Sequence, residues 1–331
     1  MHFDRNFMHI TNYKVDMLRF DQAMFSPDLC EKELGGCKGL ISIKDPEGRG
    51  LLHVAAKSGS TNVCKYLIQE LGFSMEECDN EDSTPLCHAC LKGHLNTAEY
   101  LIENGADPHA LQRHNTTALH AATLSGSVEI ISLLLSKGVD VNAPSQLGTP
   151  LHQSQGRLGV VRVLLDHGAN PNICVSHQPT PLQSAVVKGT LECVKLLIKA
   201  GADPNGSSLG FTPLDRAALL GKIDYVQCLL EAGADPNVPD DTGLKPILKA
   251  ARCGHEKIVE ILFPLTSPIS VCSDSSISGI MKYADSKEIE EQIKSRSIKN
   301  YWKEISRADD YLKRKEYYLA AIHYSLVYLC L

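Results

Sequence analysis

Between Thr117 and Ala143 the apolar and polar positions form a pattern that the rest of the chain copies. Thr117-Ala118-Leu119-His120-Ala121-Ala122 opens it: a hydroxyl suited to capping, then a short helix whose small residues let a neighbour approach closely. Gly126 and Ser127 turn the chain. A second helix follows from Glu129 to Lys137, apolar at Ile130, Ile131, Leu133, Leu134 and Leu135, and Gly138-Val139-Asp140-Val141-Asn142 forms the exit. So wide an apolar band must be covered from more than one side. At nine residues, about 13 Å, the helix is also shorter than the ~12–15 residues at which an isolated helix is marginal in water. Such a unit needs copies of itself stacked against it.

The leucine of the Leu-His step recurs at Leu52, Leu86, Leu119, Leu151, Leu182, Leu214 and Ile247, with separations of 34, 33, 32, 31, 32 and 33 residues. Thr84-Pro85-Leu86, Thr149-Pro150-Leu151-His152, Thr180-Pro181-Leu182 and Thr212-Pro213-Leu214 repeat the entry, with proline at the first helical position. Gly105-Ala106-Asp107, Gly168-Ala169-Asn170-Pro171-Asn172, Gly201-Ala202-Asp203-Pro204-Asn205 and Gly233-Ala234-Asp235-Pro236-Asn237 repeat the exit, with glycine where a left-handed cap is wanted. A period near 33 with this core resembles the ankyrin-repeat family from about Asp45 to Leu265, in seven units. The resemblance implies an all-α solenoid of helical hairpins joined by hairpin loops.

The units are not identical. The first carries one extra residue around Glu70-Leu71-Gly72, and the third has Ala118 where others have proline. In the fourth, the step from Leu151 to Val160 is two residues shorter than that from Leu119 to Ile130, and Gln153-Ser154-Gln155 replaces the alanine pair. Either its first helix is shortened or the chain's sequence is imperfect there. The fourth unit is therefore the expected weak point of the stack.

The flanks differ in character. Residues 1–44 are expected to form an irregular amino-terminal segment and cap, with Gly35 and Gly36 ending a short helix. Within it Phe7-Met8-His9-Ile10-Thr11-Asn12-Tyr13 resembles a short motif of tubulin–tyrosine ligase-like enzymes, but the rest of that fold, including its ATP site, does not follow. After the ankyrin domain (45–265), residues 266–297 read as a linker and helix, with a capping-box start at Asp285-Ser286-Lys287-Glu288. Residues 298–331 resemble one tetratricopeptide helical hairpin through Ala308, Tyr311, Tyr317, Ala320, Tyr324 and Val327. Ile305 and Asp309 occupy the slots that would hold a chaperone's terminal carboxylate, so that activity is not implied.

Composition narrows the function classes. A net charge of -6 argues against a nucleic-acid partner. The basic residues from Lys282 to Lys315 are nearly balanced by interleaved acids and read as a solvated helical face. Charged residues at Asp4, Arg5, Lys14, Asp16 and Arg19 interrupt any secretory signal, and no apolar run approaches the ~20 residues a membrane span needs. The expected compartment is the cytosol or nucleus, where the twelve cysteines stay reduced. Cys64, Cys193 and Cys228 fall in core slots of second helices, Cys87 in the histidine slot and Cys90 in an alanine slot. Cys87-His88-Ala89-Cys90 with His94 lacks the second ligand pair that structural zinc requires, so Cys87 and Cys90 are expected to be reduced and metal-free.

No phosphate loop, dinucleotide fingerprint or paired-carboxylate site stands in the sequence. His53, His120 and His152 all sit in the Leu-His slot, which the family resemblance implies is a scaffold position. No catalytic residue, cofactor or metal is expected. What remains is recognition of a protein partner by a monomer, away from membranes, along the concave face that stacked hairpin tips and first helices create. The candidate contact residues are Arg113, His114, Ser145, Gln146, His177, Leu209, Phe211, Asp241 and Leu244 on tips, and His88, Ser184, Arg216 and Lys249 on first helices. Two readings follow: a scaffold or adaptor, or a single-partner inhibitor or masking protein whose carboxy-terminal helices act only as a cap.

Overall fold

The computed structural model describes residues 41, 43–175, 178–208, 210–269, 274 and 276–313. The amino-terminal motif, most of the expected cap and the second half of the tetratricopeptide-like hairpin lie outside the described residues. The chain divides into two compact units, Met1–Ser154 with Gly159–Asn170, and Gln155–Leu158 with Pro171–Leu331. Among the described residues the structure is helical, with isolated bridges only at Lys44–Gly50 and Ser208–Phe211.

The first unit contains α1 (Leu51–Lys57), α2 (Thr61–Gln69), α3 (Pro85–Lys92), α4 (Leu95–Glu103), α5 (Ala118–Ser125), α6 (Val128–Ser136), α7 (Pro150–Gln153) and, from its second residue on, α8 (Leu158–Asp166). First helices pack on first helices, α1 on α3, α3 on α5 and α5 on α7, while α2 packs on α4 and α4 on α6. The second unit repeats the arrangement with α9 (Pro181–Lys188), α10 (Leu191–Lys199), α11 (Pro213–Leu219), α12 (Ile223–Glu231), α13 (Pro246–Arg252) and α14 (Glu256–Leu262). Two more helices follow, α15 (Ile277–Ala284) on α13 and α14, then α16 (Lys287–Lys313) on α15.

The core is the pattern read from the sequence. Leu52, Leu86, Leu119, Leu151, Leu182, Leu214 and Ile247 are all buried, as are the small pairs Ala55/Ala56, Ala121/Ala122, Ala217/Ala218 and Ala250/Ala251. Each fully buried leucine contributes about 1.5–3 kcal/mol. Of the wide band on α6, Ile130, Ile131 and Leu134 are buried and Leu133 and Leu135 half-buried. Cys64 and Cys193 are buried, but Cys228 is only half-buried, at the edge of its helix's packed face. The exit glycines 105, 138, 168, 201 and 233 all have φ between +81° and +102°, the left-handed cap expected of them.

Side chains tie successive exits together. Asn142 accepts from Asn170 N–H (2.8 Å) and donates to Gly168 O (3.3 Å). In the second unit Asn172 does the same for Asp203 and Gly201, and Asn205 for Asp235 and Gly233. The amide suits this place because one side chain donates and accepts at once.

The fourth first helix, α7, is four residues long and runs into Gln155 and Gly156 at φ +51° and +72°. At the carboxy-terminal side, α16 starts at Lys287 as its capping sequence suggests, and continues unbroken through the expected border at 297/298. The linker helix and the first tetratricopeptide-like helix are one element.

Candidate functional site

In several repeats the residue after the buried leucine joins the first helix to the loop that follows. His53 Nδ1 accepts from Gly50 N–H (3.2 Å) while Nε2 meets Ser83 O (3.1 Å). His120 Nδ1 accepts from Thr117 N–H (3.1 Å) and Nε2 meets Gly148 O (3.1 Å). This fixes the Nε2–H tautomer of both. Burial holds both imidazoles below the ordinary histidine range, His120 at about 4. Gln183 does the same with an amide, accepting from Thr180 N–H (3.2 Å) and donating to Phe211 O. Asp215, in the same slot, accepts from Thr212 N–H (2.8 Å) and cannot donate onward. Lys249 meets it instead, 2.6 Å from its second oxygen and 3.0 Å from Asp240. These histidines, amide and ion pair are scaffold.

The expected contact residues fall into two groups. In the first unit Arg113 pairs with Glu81 (2.6 Å) and His114 Nδ1 meets Gln146 (2.8 Å), so Arg113, His114 and Gln146 link adjacent loop tips. The Arg113 pair is exposed on both sides and contributes little to stability. His88 is not the exposed position expected of it: it is mostly buried, bonded to Asp79 (2.8 Å) and edge-on to His53. Burial alone would raise Asp79, but His88 and the N–H groups of Ser83 and Glu81 outweigh it and hold the carboxyl low. In the second unit Phe211, Arg216 and Lys249 come together, with the two cations 4.2 and 4.6 Å from the ring centre.

Two expectations fail there. Lys249 is 4% exposed because Asp215 and Asp240 draw it inward. Leu244 is 5% exposed, on a loop that α16 covers: Gln292 donates to Thr242 O (3.3 Å), and the Arg296 guanidinium lies against Gly243. Asp241 is exposed, Ser145 and Ser184 are half-buried, and His177 and Leu209 lie outside the described residues.

The apolar residues that face outward were not singled out from the sequence. Leu91 on α3 and Leu124 on α5 are 41% and 39% exposed, and with Leu147 they rim a cleft of about 150 Å³ in the first unit. Gln112 and Gln153 line it as well. In the second unit Val187 on α9 and Leu219 and Leu220 at the end of α11 are exposed. Leu91, Leu124, Val187 and Leu219 each stand five residues after the core leucine, which on a helix of 3.6 residues per turn points away from the core. A recurrent apolar residue at that phase was the legible signal.

The thiols add no chemistry to this face. Burial pushes Cys87 up to about 11 and Cys90 well above the ordinary thiol range, so neither is a thiolate nucleophile at neutral pH. Among the described residues no helix is long and apolar enough to cross a membrane.

Comparison with known proteins agrees with the repeat. A family model described as ankyrin repeats (3 copies) matches residues 23–112, 104–175 and 174–240. The chain is 30% identical over 178 residues to the Ankyrin repeat protein nuc-2 of Neurospora crassa, covering 52% of this chain and 17% of that protein. It is 33% identical over 134 residues to the Transient receptor potential channel pyrexia of Drosophila melanogaster, covering 40% of this chain and 14% of the channel. The matches thus span less than a fifth of either relative. The crystal structure of the human ASB11 ankyrin repeat domain superposes with a TM-score of 0.57 at 26% identity, covering 72% of this chain and 99% of that one.

Proposed function

The chain belongs to the ankyrin-repeat family, whose domains typically serve as protein–protein interaction modules, and from that premise we propose that it is a non-catalytic scaffold or adaptor. The observation that carries this reading is the pairing of exposed apolar residues on adjacent first helices. Leu91 and Leu124 stand on α3 and α5, which pack together, and Val187 and Leu219 on α9 and α11, which also pack together. Apolar side chains held in water at a repeated phase are a surface waiting for a partner. The net charge of -6 favours a protein partner over nucleic acid, and the free cysteines suit the cytosol or nucleus. The protein works as a monomer on this reading.

One observation favours the alternative, a single-partner masking protein with a carboxy-terminal cap. Helix α15 lies on α13 and α14 with Ile280, Tyr283 and Ala284 buried, and Arg252 donates to Ala284 O (3.3 Å). That supports capping of the second unit by α15, while leaving α16 able to hold a second partner.

The test is photo-crosslinking in cells, with a photoreactive residue placed at Leu124 or Leu220 and, as control, at Glu103 on the second-helix side. Discrete protein adducts from the first two positions and none from Glu103 are expected. Equal or absent adducts at all three would end the proposal. Adducts at Leu124 and Leu220 to one protein would favour the masking reading, and to different proteins the adaptor.

A further inference from the structure

We propose that the cleft of the first unit receives one apolar side chain from an extended peptide segment of a partner protein, and that Gln153 bonds the backbone peptide group beside that side chain. The inference rests on the interaction reading above and narrows it to a site and a partner chemistry.

The starting observation is Gln153. It is 7% exposed, lines the cleft, and neither its Nε2 nor its Oε1 has a hydrogen-bond partner. Nearby, Gln112 accepts from Ser83 Oγ (2.9 Å), but its buried Nε2 is also without a partner. Buried polar atoms are nearly always bonded, and each exception calls for a reason. The residues in Gln153's place in other units vary widely, from Val54 and Ala121 to His88, Ser184, Arg216 and Lys249, so packing does not require an amide here.

The missing partner has a definite chemistry. Together the two amides demand one donor and two acceptors. One peptide group supplies an N–H and a C=O, and the next carbonyl of an extended segment supplies the third. A helix could not, since its backbone groups are bonded internally. No Lys, Arg, Asp or Glu lines the cleft, and its two imidazoles, His88 and His120, are held neutral by burial. A phosphate, carboxylate or ammonium would find no counter-charge. Leu91, Leu124 and Leu147 make the rim, and about 150 Å³ is the space that one benzene-sized group fills.

Random peptides displayed on phage would be selected against the full chain, and the best would be synthesised for titration. Enriched peptides should share a single large aliphatic or aromatic residue and bind roughly tenfold more weakly to Gln153→Leu, as loss of a buried hydrogen bond implies. The same substitution should leave thermal stability unchanged or raised, because it removes an unpartnered amide. Replacing the peptide N–H beside the apolar residue by an ester oxygen should cost a similar factor against the natural chain and almost nothing against Gln153→Leu. Leu124→Asp, at an exposed position, should abolish binding without unfolding the protein. Equal affinity for Gln153→Leu, or no enrichment at all, overturns the proposal. If the adducts from Leu124 and Leu220 persist in that case, the interaction reading stands and only this assignment falls; if they are absent too, both fall.

Discussion

The two units meet one geometric demand with different chemistry. In several repeats one side chain of the first helix both bonds its own amino-terminal N–H and reaches the next loop, although Cys87 and Leu248 fill the same slot elsewhere. In the first unit neutral imidazoles do this at His53 and His120. In the second, Gln183 does it with an amide, and Asp215 fails to reach and recruits Lys249. The backbone outcome is the same, but the stakes are not. A neutral donor lost from such a slot leaves a carbonyl that a water can take; a lysine lost from between buried carboxylates leaves a charge with nothing to offset it. The difference teaches that a charged residue in this slot is tolerated where a neighbour supplies what it cannot, as Lys249 does for Asp215.

The hardest test of the contrast is Lys249→Met. Asp240 would keep its bonds from Thr242 and Leu244, but Asp215 would be left charged and fully buried. The second unit should lose about 3–5 kcal/mol, seen as faster amide exchange in α11 and α13 with the first unit unchanged. Adding Asp215→Asn should restore most of it. An unchanged second unit in the single variant would mean the ion pair is dispensable.

Acid should act on the first unit. The folded pKa of His120, about 4, lies below that of an exposed histidine, so the unfolded chain takes the proton first. Its contribution is intact above about pH 6.5 and is lost as the pH falls toward 4, on the order of 3 kcal/mol in all. His53, also held low by burial, adds in the same direction. Asp215 slopes the other way: burial pushes its carboxyl up against the pull of Lys249 and Thr212, so its charged form is relieved by acid. His120→Gln copies the Gln183 solution and should flatten the first unit's loss in urea titrations at pH 7 and pH 4.5. A parallel fall in both proteins would place the acid sensitivity elsewhere.

How much of this was legible in the sequence depends on what each residue's role requires. The core leucines, exit glycines and shortened fourth helix follow from local spacing, and they stand where spacing put them. Lys249 misled because burial there is decided by Asp240 and by Asp215, the latter a whole repeat away in the chain. The clue existed: aspartate in a slot where histidine or glutamine donates implies a cation nearby. Leu244 misled because a helix more than forty residues later lies over its loop. The exposed leucines of the cleft look like core leucines in the sequence, whereas several polar loop tips are occupied in holding each other, as Arg113, His114 and Gln146 show.

Glycines at two turns separate steric from backbone causes. Gly189 has an ordinary φ, but a Cβ there would stand 2.8 Å from Ala185 O and 2.9 Å from Gly156 O. Backbone atoms cannot step aside as a side-chain tip can, so Gly189→Ala should cost the second unit about 1–3 kcal/mol, the range for overpacking. Urea unfolding followed by exchange of α9 amides would read it. Relief of the loss by a flexible neighbour would contradict this, since the clash is with main chain.

The smallest effect is expected at Gly138, and there the units should cease to differ. Its φ is +81° and a Cβ would meet nothing within 4 Å, so the whole cost of alanine is conformational. About 1 kcal/mol follows for Gly138→Ala, and less for Gly138→Asn, because asparagine visits the left-handed region more readily. Gly233 in the second unit has φ +90° and the same open space, and Ala234 N–H closes the turn on Leu229 O as Val139 N–H does on Leu134 O. Gly233→Ala should therefore cost its unit the same as Gly138→Ala costs the first, measured by denaturation of each variant. The slots differ in chemistry and the exits do not, so unequal costs at Gly138 and Gly233 would show that the units diverge in backbone as well as in side-chain valence.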